Sequence, residues 1–109
     1  MREEINLKVF RMLPREKAFY FFTSIGNYTG ESAASLKEFM EKISQVNVKS
    51  LEFHLYRGDF EKWITEVLED KKLAEDVVKL QKTNPLGDQL RNQFHALVSK
   101  RYQQLTYGS

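Results

Sequence analysis

The 109-residue chain contains no cysteine, two prolines and two histidines. Without cysteine there is no disulfide framework, no thiolate metal centre and no cysteine nucleophile, and two isolated histidines fall short of most zinc sites. Neither a metal nor a cofactor is therefore expected. No stretch approaches the roughly 20 consecutive apolar residues that a membrane span requires. The opening MREEINLKVFRMLPREK mixes charge and apolar residues too closely to hold the apolar core of a signal peptide. A cytoplasmic protein with no membrane partner is the expectation. Charge of one sign is lacking too: 17 Lys and Arg stand against 15 Asp and Glu, a net +2, too little for a general binder of nucleic acid or anionic membranes. Dinucleotide, P-loop, zinc-protease and EF-hand signatures are absent, as are solenoid-length repeats and low-complexity tracts.

What remains is 41% hydrophobic and 29% charged, the profile of one ordinary soluble domain over residues 1–109. A chain of this length buries roughly two-thirds of its unfolded surface, enough for a core without staples. Residues 1–30 are the less regular part and 31–105 the helical core. Near the start, Ile5, Leu7 and Val9 alternate as in a strand, while Ile5, Val9 and Met12 are spaced as on a helix; a helix ending before Pro14 is favoured. Ala18-Phe19-Tyr20-Phe21-Phe22 is the most hydrophobic short run and must be buried, against the core or in a homodimer. Thr23 to Gly30 has turn chemistry and reads as an irregular loop. Asn27-Tyr28-Thr29 matches a glycosylation acceptor but, without a secretion signal, reads as part of that turn.

From Ser32 the signals are helical. Ser35 and Glu38 can satisfy each other's backbone donors at a helix start, and Leu36, Phe39, Met40, Ile43 and Val46 form one amphipathic stripe. Val48 to Tyr56 fits either period, and Gly58 as a C-terminal glycine decides for helix. Asp59 reads as the N-cap of a helix burying Phe60, Trp63, Ile64, Val67 and Leu68. Asp70 caps a shorter one carrying Leu73, Ala74, Val77 and Leu80. A long last helix with Leu90, Phe94, Leu97, Val98, Tyr102 and Leu105 starts at Asn84 as N-cap, with Pro85 at the first helical position, or later at Asp88. The expected fold class is all-α, a compact bundle of four to five amphipathic helices with an irregular aromatic-rich N-terminal segment.

The densest polar cluster runs from Glu52 to Trp63. His54 can exchange a proton near neutral pH, Arg57 can hold an anionic group and Asp59 can orient the imidazole. No convincing nucleophile accompanies them, since Ser50, one turn before His54, lacks a glycine-rich elbow. The structural alternative is stronger: His54 at a stripe boundary, Asp59 as a cap and Trp63 in the core with its indole N–H bonded to a neighbour. As candidates for binding a ligand or partner, His54, Arg57, Asp59, Trp63, Glu52 and Tyr56 stand out; no residue qualifies as catalytic and an enzyme is not expected. Charge is also uneven. Residues 59–76 hold seven acids and three bases, and 77–109 five bases and one acid. Attraction between adjacent helices explains this most simply, while Arg91, Lys100 and Arg101 form the candidate basic face. Arg101 projects near the middle of an apolar stripe and so needs a partner, first of all an acid from 59–76. His95 reads as an ordinary boundary histidine.

Ser35-Leu36-x-x-Phe39, Ser50-Leu51-x-x-His54 and Asp59-Phe60-x-x-Trp63, followed by Asp70 and Leu73-Ala74, carry a resemblance over Phe21 to Leu105. The segment resembles a family of small archaeal and bacterial helical domains of unknown function. The resemblance implies a helical domain that stands alone or is appended to other proteins, and assigns no catalytic residue. The family's usual Gly-Asp before the fourth helix is here Glu69-Asp70. Three functional readings follow: a non-enzymatic protein-interaction or regulatory module that meets a partner or a second copy through the aromatic N-terminal region and the His54–Trp63 corner; a phosphate or sugar site at His54, Arg57, Asp59 and Trp63; and weak nucleic-acid binding through Arg91, Lys100 and Arg101, the least favoured.

Overall fold

A computed structural model describes residues 11–107. Its first regular element corrects the all-α expectation. After a short 3-10 turn at Arg15–Lys17, strands β1 (Phe19–Ser24) and β2 (Asn27–Ala33) pair antiparallel around an Ile25-Gly26 turn. The architecture is therefore mixed α and β, a two-stranded hairpin packed on helices, and the segment read as an irregular loop is the tip of that hairpin. The physical reason lies in the aromatic run. Phe19 and Phe21 face inward and are buried, whereas Tyr20 is exposed and Phe22 half-buried, the period-2 pattern of a strand with one wet face. Gly26, at φ 82°, supplies the left-handed residue of the turn. The helix expected before Pro14 lies, except for its last residues, outside those described.

Helices follow: α1 (Leu36–Ile43), α2 (Val48–Arg57), α3 (Asp59–Trp63), a π-helical turn at Ile64–Leu68, α4 (Lys71–Lys82) and α5 (Gly87–Tyr107). Ser35 Oγ accepts the Glu38 N–H at 3.1 Å and the Glu38 carboxylate accepts the Ala34 N–H at 2.8 Å, so α1 starts on reciprocal side-chain caps. Gly58, at φ 82°, ends α2 and turns the chain into α3. Asp70 Oδ1 accepts the Leu73 N–H at 3.1 Å and caps α4.

Two expected caps differ. Asp59 makes no cap hydrogen bond to α3, because its carboxylate is drawn to His54 and Arg57. Asn84 does not begin α5; at φ 56° it turns left-handed just past the end of α4, and α5 begins at Gly87. The free amide there is satisfied from another helix: Glu52 Oε2 of α2 accepts the Gly87 N–H at 2.8 Å.

One core holds hairpin and helices together. Phe19 touches Phe21, Phe39, Phe60 and Trp63 with ring centroids 4.9–5.8 Å apart, pairs worth about 0.5–1.5 kcal/mol each beyond their burial. Leu36, Ile43, Leu51, Leu55, Leu73, Leu90 and Val98 complete it. No helix among the described residues is long and apolar enough to cross a membrane.

Candidate functional site: the cleft between the hairpin and the second helix

Position 54 of α2 faces β1. Because β1 pairs with β2 along one edge only, its other edge carries main-chain groups that need partners. His54 supplies one: its Nε2 accepts the Phe22 N–H at 2.8 Å. That contact leaves Nε2 without a proton, so Nδ1 carries it and donates to Asp59 Oδ2, also at 2.8 Å. Both ring nitrogens are thus engaged. Burial pushes the His54 pKa below its ordinary 6.5, opposed by the hydrogen bond and charge of Asp59 and reinforced by Arg57. The ring is packed on Phe19 and Phe53, 4.8 and 5.0 Å away.

Asp59 also binds Arg57, whose Nε lies 3.2 Å from Oδ2. The guanidinium carbon sits 4.9 Å above the Phe53 ring, a cation–π contact that holds the half-exposed side chain over the helix. Between this group and β1 opens a cleft of about 350 Å³. Its helical wall is Phe53, His54, Arg57 and Asp59, and its strand wall Tyr20, Phe22, Ser24 and Ile25. Tyr20 and Tyr28 meet edge to face at 5.8 Å on the outer face of the hairpin, with Phe22 tilted against Tyr28 at 5.3 Å. Ile25, 82% exposed, stands at the lip.

The residues singled out from the sequence therefore separate into groups. His54, Arg57 and Asp59 come together at the cleft. Trp63 does not join them: it is buried in the core and its indole N–H donates to the Lys17 carbonyl at 2.8 Å. Glu52 and Tyr56 bind the link between α4 and α5, Glu52 at the Gly87 amide and Tyr56 through its hydroxyl, which donates to the Pro85 carbonyl at 2.6 Å. Burial and the Glu52 charge raise the Tyr56 pKa above 10.0. Tyr20 and Phe22 were noted only as members of the aromatic run, not as cleft residues, and Ile25 and the α2 residue Phe53 were not site candidates. Alternation along Phe19 to Phe22, closed by Ile25-Gly26, is the signal that would have found the strand wall.

The basic face is also divided. Arg91 donates through Nη1 to the Ile43 and Val46 carbonyls at 3.0 and 2.8 Å, holding the end of α1. Arg101 meets Asp70 through two parallel hydrogen bonds, Nε to Oδ2 at 2.9 Å and Nη2 to Oδ1 at 3.1 Å, and so ties α5 to the start of α4 across the boundary between the acidic and basic stretches. Lys100 alone of the three is exposed, the other two being half-buried. Ser50 is buried, does not line the cleft, and its Oγ has no hydrogen-bond partner among the described residues. No group of three or more possible metal ligands occurs among those residues.

A profile described as "Family of unknown function (DUF5752)" matches residues 14–108. The chain belongs to this family. Neither the curated proteins nor the solved structures contain a match. Membership in DUF5752 carries no assigned chemistry, so the function has to be argued from the cleft and the surfaces around it.

Proposed function

We propose that this DUF5752 domain is a non-enzymatic interaction module of a prokaryotic cytoplasm, docking a protein partner or a second copy on the outer face of its hairpin. The observation that carries the reading is the exposed apolar set at one place: Tyr20, Ile25 and Tyr28 lie together on the hairpin beside an open cleft. Soluble folds keep such side chains dispersed unless a surface is used. Engagement of both His54 nitrogens supports binding over proton transfer, because a general base needs a free nitrogen within reach of its substrate. A photo-crosslinking residue at position 28 is expected to give a discrete adduct in cells, and one at the exposed Glu66, which lines neither the cleft nor the α4–α5 groove, none. Uncrosslinked chain at position 28, or an adduct at the control position alone, overturns the reading. Light scattering on the purified chain separates the two partners, since self-association requires mass that grows with concentration.

A second reading, a small ligand in the same cleft, is favoured by one feature. Arg57 reaches the opening already oriented by Phe53 and Asp59, as a site for a phosphate or sugar hydroxyl requires. Titration with inorganic phosphate and with glucose, followed at the Phe22 and Arg57 amides, tests it; unmoved signals at millimolar ligand dispose of it. Nucleic-acid binding has less support, with Arg91 and Arg101 both held by contacts inside the fold.

A further inference from the structure

A second concavity lies away from the hairpin. A groove of about 530 Å³ runs between α4 and α5. Lys72, Asp76 and Lys79 of α4 and Thr83 at its C-terminal cap line one bank, and Gln93, Leu97, Lys100 and Gln104 of α5 the other. Both sets follow the same 4-3-4 spacing, the spacing of a helix face turned toward another helix. Eleven residues of rise make each stripe about 16 Å long. Leu80 and Ala96, with the half-buried Leu97 of the α5 stripe, form the apolar floor. Two neighbouring helices with matched faces, and no other element among the described residues lining the groove, offer the seat of a third.

The charges on this seat are unbalanced. Lys72, Lys79, Lys100 and Arg101 line the groove and Asp76 is the single acid that does. Asp76 is bound by Lys72 at 3.1 Å and Arg101 by Asp70, so Lys79 and Lys100, one on each bank and both exposed, carry the uncompensated charge. We propose that the α4–α5 groove binds an acidic amphipathic helix of a partner protein, its apolar stripe on Leu80, Ala96 and Leu97 and its acids on Lys79 and Lys100. This surface is independent of the hairpin and does not rest on the role proposed for it. An amphipathic helix suits the groove better than a nucleic-acid backbone. Phosphates seek unbroken rows of free cations, and here the floor is apolar and two of the four cations already hold carboxylates.

The probe is a fluorescein-labelled helical peptide of about 14 residues, spanning the groove at 1.5 Å per residue, with Leu at 4-3 spacing and Glu on both flanks. Anisotropy is expected to rise to saturation, with amide shifts at Ala96 and Leu97. Lys79→Glu with Lys100→Glu should weaken binding about tenfold or more, and a Lys-flanked peptide should recover it. Ala96→Trp, at an exposed position, should block the seat while leaving the thermal transition in place. The proposal is overturned by a peptide that does not bind, by affinity unchanged in the charge-reversed variant, or by shifts mapping to the hairpin. It is equally overturned if a single-stranded oligonucleotide binds the same residues more tightly than the peptide, or if Ala96→Trp abolishes self-association, which would make the groove an interface between copies.

Discussion

His54 Nε2 accepts the Phe22 main-chain N–H across 2.8 Å, so a helix side chain does for β1 what a third strand would otherwise do. The same ring passes its proton side to Asp59. The hairpin is therefore fastened to α2 through one neutral imidazole that has no spare nitrogen.

That arrangement makes stability depend on pH with a definite sign. The His54 pKa is lowered in the fold from its ordinary 6.5, so between the two values the unfolded chain binds the proton and the folded one does not. The contribution is constant above about pH 6.5 and is lost progressively as pH falls below it, with a slope of at most about 1.4 kcal/mol per pH unit. Urea unfolding at pH 7.5 and 5.5 should show this loss in the wild type and a flatter dependence in His54→Gln. At pH 7.5 His54→Leu should cost about 2–3 kcal/mol, because the Phe22 amide and the Asp59 carboxylate both lose a partner. Equal pH dependence in His54→Gln and wild type refutes the linkage.

The sequence made the His54 corner visible for the reason that half of it is local. Imidazole, guanidinium and carboxylate lie within six residues of chain, and Gly58 announces the bend that gathers them. The other wall of the cleft comes from β1, thirty-odd residues earlier, and nothing near His54 points to it. The same distinction separates the caps that were legible from those that were not. Ser35 with Glu38, and Asp70 with Leu73, are fixed by neighbours three residues apart. Glu52 caps α5 from 35 residues away, so local reading looked for the cap at Asn84 or Asp88. The hairpin was hidden by composition: four consecutive aromatics read as a buried run, and the alternation shows only once Phe22 is seen to pack outward on Tyr28.

Asp70 and Arg101 should behave as one unit. Asp70 is buried, caps α4 and binds the guanidinium at two points; truncating either partner leaves a charge with poor solvation. Asp70→Asn and Arg101→Met are each expected to lower stability by about 2–4 kcal/mol. The double variant should lose less than the sum, by a coupling of about 1–3 kcal/mol. Additive losses in a denaturation cycle would show that the pair contributes only through separate contacts.

Glu69 stands at φ 58° and ψ 39° between the π-helical turn and α4. A side chain in that left-handed region is strained by about 1–2 kcal/mol, where glycine is free of the clash but more flexible when unfolded. Glu69→Gly is predicted to stabilise the chain by about 0.5–1 kcal/mol, read as a higher melting temperature by calorimetry, and Glu69→Val to destabilise it. A lower melting temperature for the glycine variant would mean that contacts of the Glu69 side chain outweigh the backbone strain.

Ser50 gives the clearest opposition between a functional and a packing role. It lies one turn before His54 on α2, is fully buried, and its Oγ has no hydrogen-bond partner among the described residues. A desolvated hydroxyl without a partner costs about 1–3 kcal/mol on protein-derived scales. Ser50→Ala removes that hydroxyl and leaves a void of one small atom, so stability should stay the same or rise by about 1 kcal/mol. Ser50→Val, which adds volume beside packed helices, should instead be destabilising. If the hydroxyl holds an interior water or another polar group, the alanine variant loses stability in urea, and its Cm falls below that of the wild type at unchanged m-value. The direction of that one shift decides whether position 50 asks for a serine or only for a small side chain.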